Sequence, residues 1–137
     1  MNKENGVCPT ILVVDDIEET RDGIEKLLKV DGYFVEAARH EREAVDCAGR
    51  KPPDLILVSL GGPPQDVIAT ARDIRKRAQL DENIPVVVFS VGDVEEGEEV
   101  DIGENVYLTR PDNFNQLRNL LARLLSRNSM PLKVSFP

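Results

Sequence analysis

The sequence predicts an α/β fold of the doubly wound kind, a parallel sheet with helices on both faces. Three observations carry this expectation. Five short apolar runs recur along the chain, stretches with helical spacing alternate with them, and three of the runs are apolar without a break and rich in Val, Ile and Leu. Unbroken runs of that kind suit strands covered on both faces. Right-handed crossovers between successive strands then distribute the helices to both sides of the sheet.

The first run, residues 11–14, reads Ile-Leu-Val-Val and predicts a central strand. Ile24, Leu27 and Leu28 share one face of the helix expected after it. The second run, 33–37, is more polar and is placed at or near an edge. Ala44, Val45 and Ala48 mark the helix that follows, with His40, the lone histidine, at its start. The third run, 55–58, is again continuously apolar. Pro52-Pro53 and Gly61-Gly62-Pro63-Pro64 punctuate it on either side. Val67, Ala71, Ile74 and Ala78 step through the third helix. The fourth run is 86–89. After it a fourth helix is expected over 94–102, although Gly97 lies inside it and apolar positions are few. The fifth strand is 106–108, and Phe114, Leu117, Leu120, Leu121, Leu124 and Leu125 form the strongest stripe, in the last helix. The expectation is one domain over residues 1–137, with a core from about 9 to 127 and a tail at 128–137.

Composition bounds the function. No apolar run approaches the roughly 20 residues of a membrane-spanning helix. The first residues lack the apolar segment of a signal peptide, and Cys8 and Cys47 show no metal or redox spacing, so a reducing cytoplasmic setting is expected. A net charge of −8 argues against a nucleic-acid surface. Seven acids and no base lie between Asp93 and Glu104, which reads as a solvated acidic helix or loop, or as a docking face for a basic partner.

In a doubly wound sheet the functional crevice lies at the carboxyl ends of the central strands. Asp15 and Asp16 follow the first strand there, Ser59 the third, Ser90 the fourth, and Arg110 and Pro111 the fifth. Two adjacent carboxylates repel each other and suit a hard dication such as Mg²⁺. They equally suit the start of the first helix, with Asp16 as a cap.

With these pieces in order, Ile11-Leu12-Val13-Val14-Asp15-Asp16, Pro53-Asp54-Leu55-Ile56-Leu57-Val58, Ile84-Pro85-Val86-Val87-Val88-Phe89-Ser90 and Tyr107-Leu108-Thr109-Arg110-Pro111, the chain resembles the receiver domain of two-component response regulators, the CheY-like family. The resemblance implies a flavodoxin-like five-stranded sheet in the order 2-1-3-4-5 and a switch fed by a histidine kinase. It places Ser59 where the family keeps its phosphoacceptor aspartate, Ser90 and Arg110 at the remnant of the phosphate site, and Tyr107 at the switch aromatic. It makes Asp15, Asp16 and the carbonyl of Gly61 the remnant of a weakened or lost Mg²⁺ site. It also implies a cis bond between Arg110 and Pro111.

The departures shape the functional expectation. A serine hydroxyl is un-ionised and needs a base to act as a nucleophile, so transfer from phosphohistidine to Ser59 is expected to fail. Arg110 replaces the family's lysine. With the acceptor charge gone, its planar fork is expected to pair with Asp15 or Asp16. Val91 is bulkier than the small residue usual there, and Gly62-Pro63 stands for Met-Pro. Ser90 and Tyr107 are then a strand-end serine and a half-buried tyrosine. The expected function is a receiver-like module that is not an enzyme, requires no cofactor, holds Mg²⁺ weakly at most, and acts by protein contact. A histidine kinase, another regulator or a second copy would dock on the face of helix four, strand five and helix five, with no nucleic acid or membrane involved. The alternative is a phosphorylation-dependent switch that uses Ser59 or a neighbouring acid. A flavodoxin phosphate loop is excluded by Asp15-Asp16-Ile17-Glu18-Glu19, and a haloacid-type phosphatase by Ile17.

Overall fold

The structure is a computed structural model that describes residues 8–89 and 94–129. Strands β1 (Thr10–Asp15), β2 (Phe34–Ala38), β3 (Leu55–Ser59), β4 (Val86–Phe89), β5 (Glu99–Asp101) and β6 (Val106–Thr109) form one sheet in the order β2-β1-β3-β4-β6-β5. Helices α1 (Glu18–Val30), α2 (Glu41–Arg50), α3 (Pro64–Arg77) and α4 (Phe114–Ser129) alternate with them. The five strands read from the apolar runs are parallel and take the expected order. None of the described helices is long and apolar enough to cross a membrane.

Strand pleating divides the core. Alternate side chains point to opposite faces. Leu12, Val14, Ile56, Val58, Val86 and Val88 meet the small residues of α2 and α3, among them Ala44, Ala48 and Ala71. Ile11, Val13, Leu55, Leu57 and Val87 meet Leu28 of α1 and the leucine stripe of α4. The α2 contribution to the first of these faces is small side chains, whereas α4 fills the opposite face with leucines. Residues wholly buried on both faces explain why the central runs carry no polar alternation.

The helix starts obey local chemistry. His40 caps α2, its Nδ1 accepting the Glu43 N–H at 3.3 Å. Pro64 opens α3, where its missing N–H leaves nothing unsatisfied. Asn113 Oδ1 accepts the Gln116 N–H at 3.1 Å at the head of α4. Asp16 does not cap α1. The cap position is Ile17, without a side-chain cap bond, and Asp15 Oδ1 accepts the Ile17 N–H at 2.9 Å instead.

The main correction concerns the fourth helix. Residues 94–98 form a turn, and β5 then runs antiparallel to β6 with Glu99 opposite Thr109 and Asp101 opposite Tyr107. Gly97 is the reason. Its φ is +87°, its N–H donates to the Arg110 carbonyl at 2.7 Å, and the Arg110 N–H donates to the Glu98 carbonyl at 3.3 Å. Two residues thus oppose one, a β-bulge with glycine in its left-handed position. The Glu98 N–H closes the preceding turn onto the Glu95 carbonyl at 2.9 Å. A helix through 94–102 would stack Glu95, Glu98, Glu99 and Asp101 within two turns and leave few apolar contacts, so the hairpin wins. The hairpin is fastened at its far end as well. The buried Arg75 guanidinium on α3 donates to the Ile84 carbonyl at 2.9 Å and to the Glu104 carbonyl at 2.6 Å. Asn105 Nδ2 reaches the carbonyls of Glu82 and Asn83, both at 3.0 Å.

Candidate functional site

The carboxyl ends of β1, β3 and β6 bring the expected residues to one rim. Asp15 ends β1 and is 1% exposed; Asp16, one residue on, is exposed. Ser59 ends β3 as the register partner of Asp15 and is half-buried. The exposed turn after β3 brings Gly61 to Asp16, with the Gly61 N–H donating to Asp16 Oδ2 at 3.4 Å. A Cβ at Gly61 would meet the same oxygen at 3.5 Å, an ordinary contact. Asp15, Asp16, Ser59 and Gly61 therefore form one cluster.

Asp15 has the most perturbed environment of the four. One carboxylate oxygen takes the Ile17 N–H; the other, Oδ2, is buried and makes no hydrogen bond among the described residues. Burial pushes its carboxyl above the ordinary value of 3.8. The Ile17 N–H opposes that, Asp16 adds repulsion, and Arg21 and the nearby Ser59 hydroxyl ease it. Arg21 Nη1 donates to the Asp15 carbonyl at 3.0 Å, so its cation sits behind the acid pair.

Arg110 does not join the cluster. Its side chain is exposed and forms no ion pair with Asp15 or Asp16, contrary to expectation. The bulge fixes its backbone through both its N–H and its carbonyl. Its side chain lines an apolar groove with Ile24, Phe89, Pro111, Phe114 and Leu117. The Arg110–Pro111 bond is trans, which corrects the cis geometry implied by resemblance. Tyr107 is more buried than expected. Its ring lies in the core beside α4 at 9% exposure, and its hydroxyl donates to Asn105 Oδ1 at 2.9 Å. Ser90 and Val91 lie outside the described residues.

Three residues that hold the rim escaped the sequence reading. Thr109, 1% exposed, donates its hydroxyl to the Glu98 carbonyl at 3.2 Å. Gln116 accepts the Asp112 N–H at 2.8 Å and donates to the Gly97 carbonyl, tying α4 to the bulge. Arg21 is the third. The one available signal was Gly97, a glycine inside an otherwise charged segment.

The donor set fits a hard dication in kind. Asp15 offers a buried oxygen without a partner, Asp16 a second carboxylate, and the turn at Gly61 a carbonyl. The set falls short in charge, because Ser59 contributes a neutral oxygen and no group of three or more His, Cys, Asp or Glu side chains that could hold a metal occurs among the described residues.

Known proteins share this fold and family. The response regulator receiver domain pattern matches residues 11–122. The chain is 30% identical over 121 residues to response regulator MprA of Mycolicibacterium vanbaalenii, covering 87% of this chain and 51% of MprA. It thus spans about half the length of the curated relatives it matches. Among solved structures, the receiver domain of a signal transduction histidine kinase from Syntrophus aciditrophicus has a TM-score of 0.67 at 26% identity, with 87% of this chain and 91% of that one covered. The response regulator TrrA of Thermotoga maritima, solved in complex with Mg²⁺-BeF, has a TM-score of 0.64 at 22% identity, with 85% and 98% covered. With the 2-1-3-4-5 order of the parallel strands and the acid pair at their carboxyl ends, these matches make the chain a member of the response regulator receiver domain family of two-component signalling.

Proposed function

We propose that this receiver does not accept phosphate from a histidine kinase and works instead through protein contact in the cytoplasm. One observation carries the reading: the residue paired with Asp15 at the end of β3 is Ser59, a neutral alcohol. A phosphoacceptor must attack a phosphohistidine, and an alcohol needs its proton removed to do so. Mg²⁺ would be held by Asp15, Asp16 and the Gly61 carbonyl, where it would screen charge on an incoming phosphoryl group. With two carboxylates its affinity is low. The contact surface is the face of β5, β6 and α4, with the hairpin standing in for the fourth helix. A histidine kinase or another regulator is the partner class, and neither nucleic acid nor membrane takes part.

A second reading has one observation in its favour. The Asp15 carboxyl is pushed above its ordinary range and stands beside Ser59, which makes it a better base than an exposed aspartate. In that reading Ser59 becomes a phosphoserine that persists, since an ester lacks the lability of an acyl phosphate. Acetyl phosphate with Mg²⁺, and separately beryllofluoride with Mg²⁺, followed by backbone amide shifts and intact mass, separate the two. The contact reading expects no added phosphate and no saturable shifts at Ser59 or Tyr107. A phosphate on Ser59, or saturable shifts there with beryllofluoride, would overturn it.

A further inference from the structure

The hairpin that replaces the fourth helix ends the sheet on β5, and its hydrogen-bond phase can be read. The Arg110 N–H bonds the Glu98 carbonyl and the Ile102 N–H bonds the Val106 carbonyl, at 3.3 and 3.0 Å. Glu98, Val100 and Ile102 therefore turn their backbone toward β6, and Glu99 and Asp101, between them, turn theirs away. Among the described residues nothing hydrogen-bonds to the backbone N–H or carbonyl of Glu99 or Asp101. The edge thus presents two donors and two acceptors in strand geometry.

The side chains around this edge are acidic. Glu99 and Asp101 stand in β5 itself, and Glu95, Glu96, Glu98 and Glu104 are exposed beside it. Among the described residues Glu99 pairs with Arg123 Nη2 at 2.7 Å and Glu104 with Arg72 Nε at 3.4 Å, while Asp101, Glu95, Glu96 and Glu98 have no ion pair. A second copy is a poor occupant. Antiparallel pairing of two β5 edges about Val100 would set Glu99 against the other copy's Asp101, and like charges directly opposite are destabilising. Shortness and acidity keep an edge from pairing indiscriminately. They leave one kind of strand welcome, an extended segment with Lys or Arg at alternate positions.

We propose that the β5 edge binds an extended basic segment of a partner protein by strand addition. Its backbone pairs with Glu99 and Asp101, and its cations face the acids from Glu95 to Glu104. This deepens the contact reading and rests on it for biological meaning, but its test reads a different site.

The probe is a short capped peptide alternating lysine and valine, titrated into the full chain with amide shifts as readout. Saturable shifts should centre on Glu99 and Asp101 and weaken with added salt. N-methylation of the peptide at the pairing positions should weaken binding about tenfold, as expected for two lost hydrogen bonds. The double substitution Glu95→Lys/Glu96→Lys, at exposed side chains that make none of the turn or bulge bonds (Glu95 takes part through its backbone), should weaken it by a similar factor at unchanged thermal stability. Equal binding of the methylated peptide would mean charge attraction without pairing, and would overturn the proposal. So would equal binding of a glutamate–valine peptide, absence of saturable shifts at millimolar peptide, or concentration-dependent self-association that shifts the same two amides. Phosphate on Ser59 in the acetyl phosphate assay would sink the contact reading and leave the peptide result standing.

Discussion

Replacing Ser59 by aspartate restores the missing charge and tests its importance. Ser59 is the register partner of Asp15 on the adjacent strand, and such neighbours lie about 4.8 Å apart. A new carboxylate there would sit roughly 5 Å from that of Asp15. Coulomb repulsion at that distance is about 1–3 kcal/mol for effective dielectric values between bulk water and the protein surface. Ser59→Asp should therefore destabilise the metal-free chain by about that much, moving the urea midpoint down by roughly 0.5–1.5 M. A third carboxylate also completes a dication site. Mg²⁺ at about a hundred times its Kd would return about 2.7 kcal/mol, enough to erase most of the loss. Urea unfolding of both proteins, with and without Mg²⁺, reads all four quantities. The reasoning fails if the variant is as stable as the parent without metal, or if the parent gains as much from Mg²⁺ as the variant does.

Three further outcomes follow from the structure. Asp15→Asn should raise stability at pH 7, because burial penalises the charged carboxylate in the fold. That penalty disappears as pH falls from the raised folded value toward the ordinary 3.8, so the two urea midpoints should converge in acid. Arg75→Met removes the donor to two carbonyls and should cost about 2–4 kcal/mol by chemical denaturation. Gly97→Ala meets no close atom, the nearest being Gln116 Oε1 at 3.9 Å, so its cost of about 1–2 kcal/mol comes from the left-handed backbone alone and should appear as faster amide exchange at Arg110.

The sheet was legible because burial on two faces leaves no room for polar residues. Val13, Leu57 and Val87 had to sit in central strands, and the leucines from Leu117 to Leu125 had to cover them. The acid pair was legible for a similar reason, since two carboxylates directly after a buried strand must lie at its carboxyl end. The hairpin was not. Residues 94–102 carry too few apolar side chains for periodicity to choose between helix and strand, and the choice rests on Gly97 bonding to Arg110, a contact between distant positions. The fate of Arg110 escaped for the same reason. Charge alone sends a guanidinium toward Asp15 and Asp16, but the bulge holds the Arg110 backbone and the residue lines the apolar groove instead. Register and bulges belong to pairs of segments, and a single segment does not encode them.

The lost helix leaves a mark on the sheet's α2/α3 face. Beyond the reach of α3, the cover over β6 among the described residues includes single side chains, Val94, Val100 and Ile102, where a helix would lay down a continuous turn-by-turn roof. A roof of separate shingles lifts one piece at a time. Local opening at this corner is therefore uncoupled from the collapse of the whole sheet, and a visitor at the hairpin can loosen Val100 without disturbing Val14 at the far end of the same core.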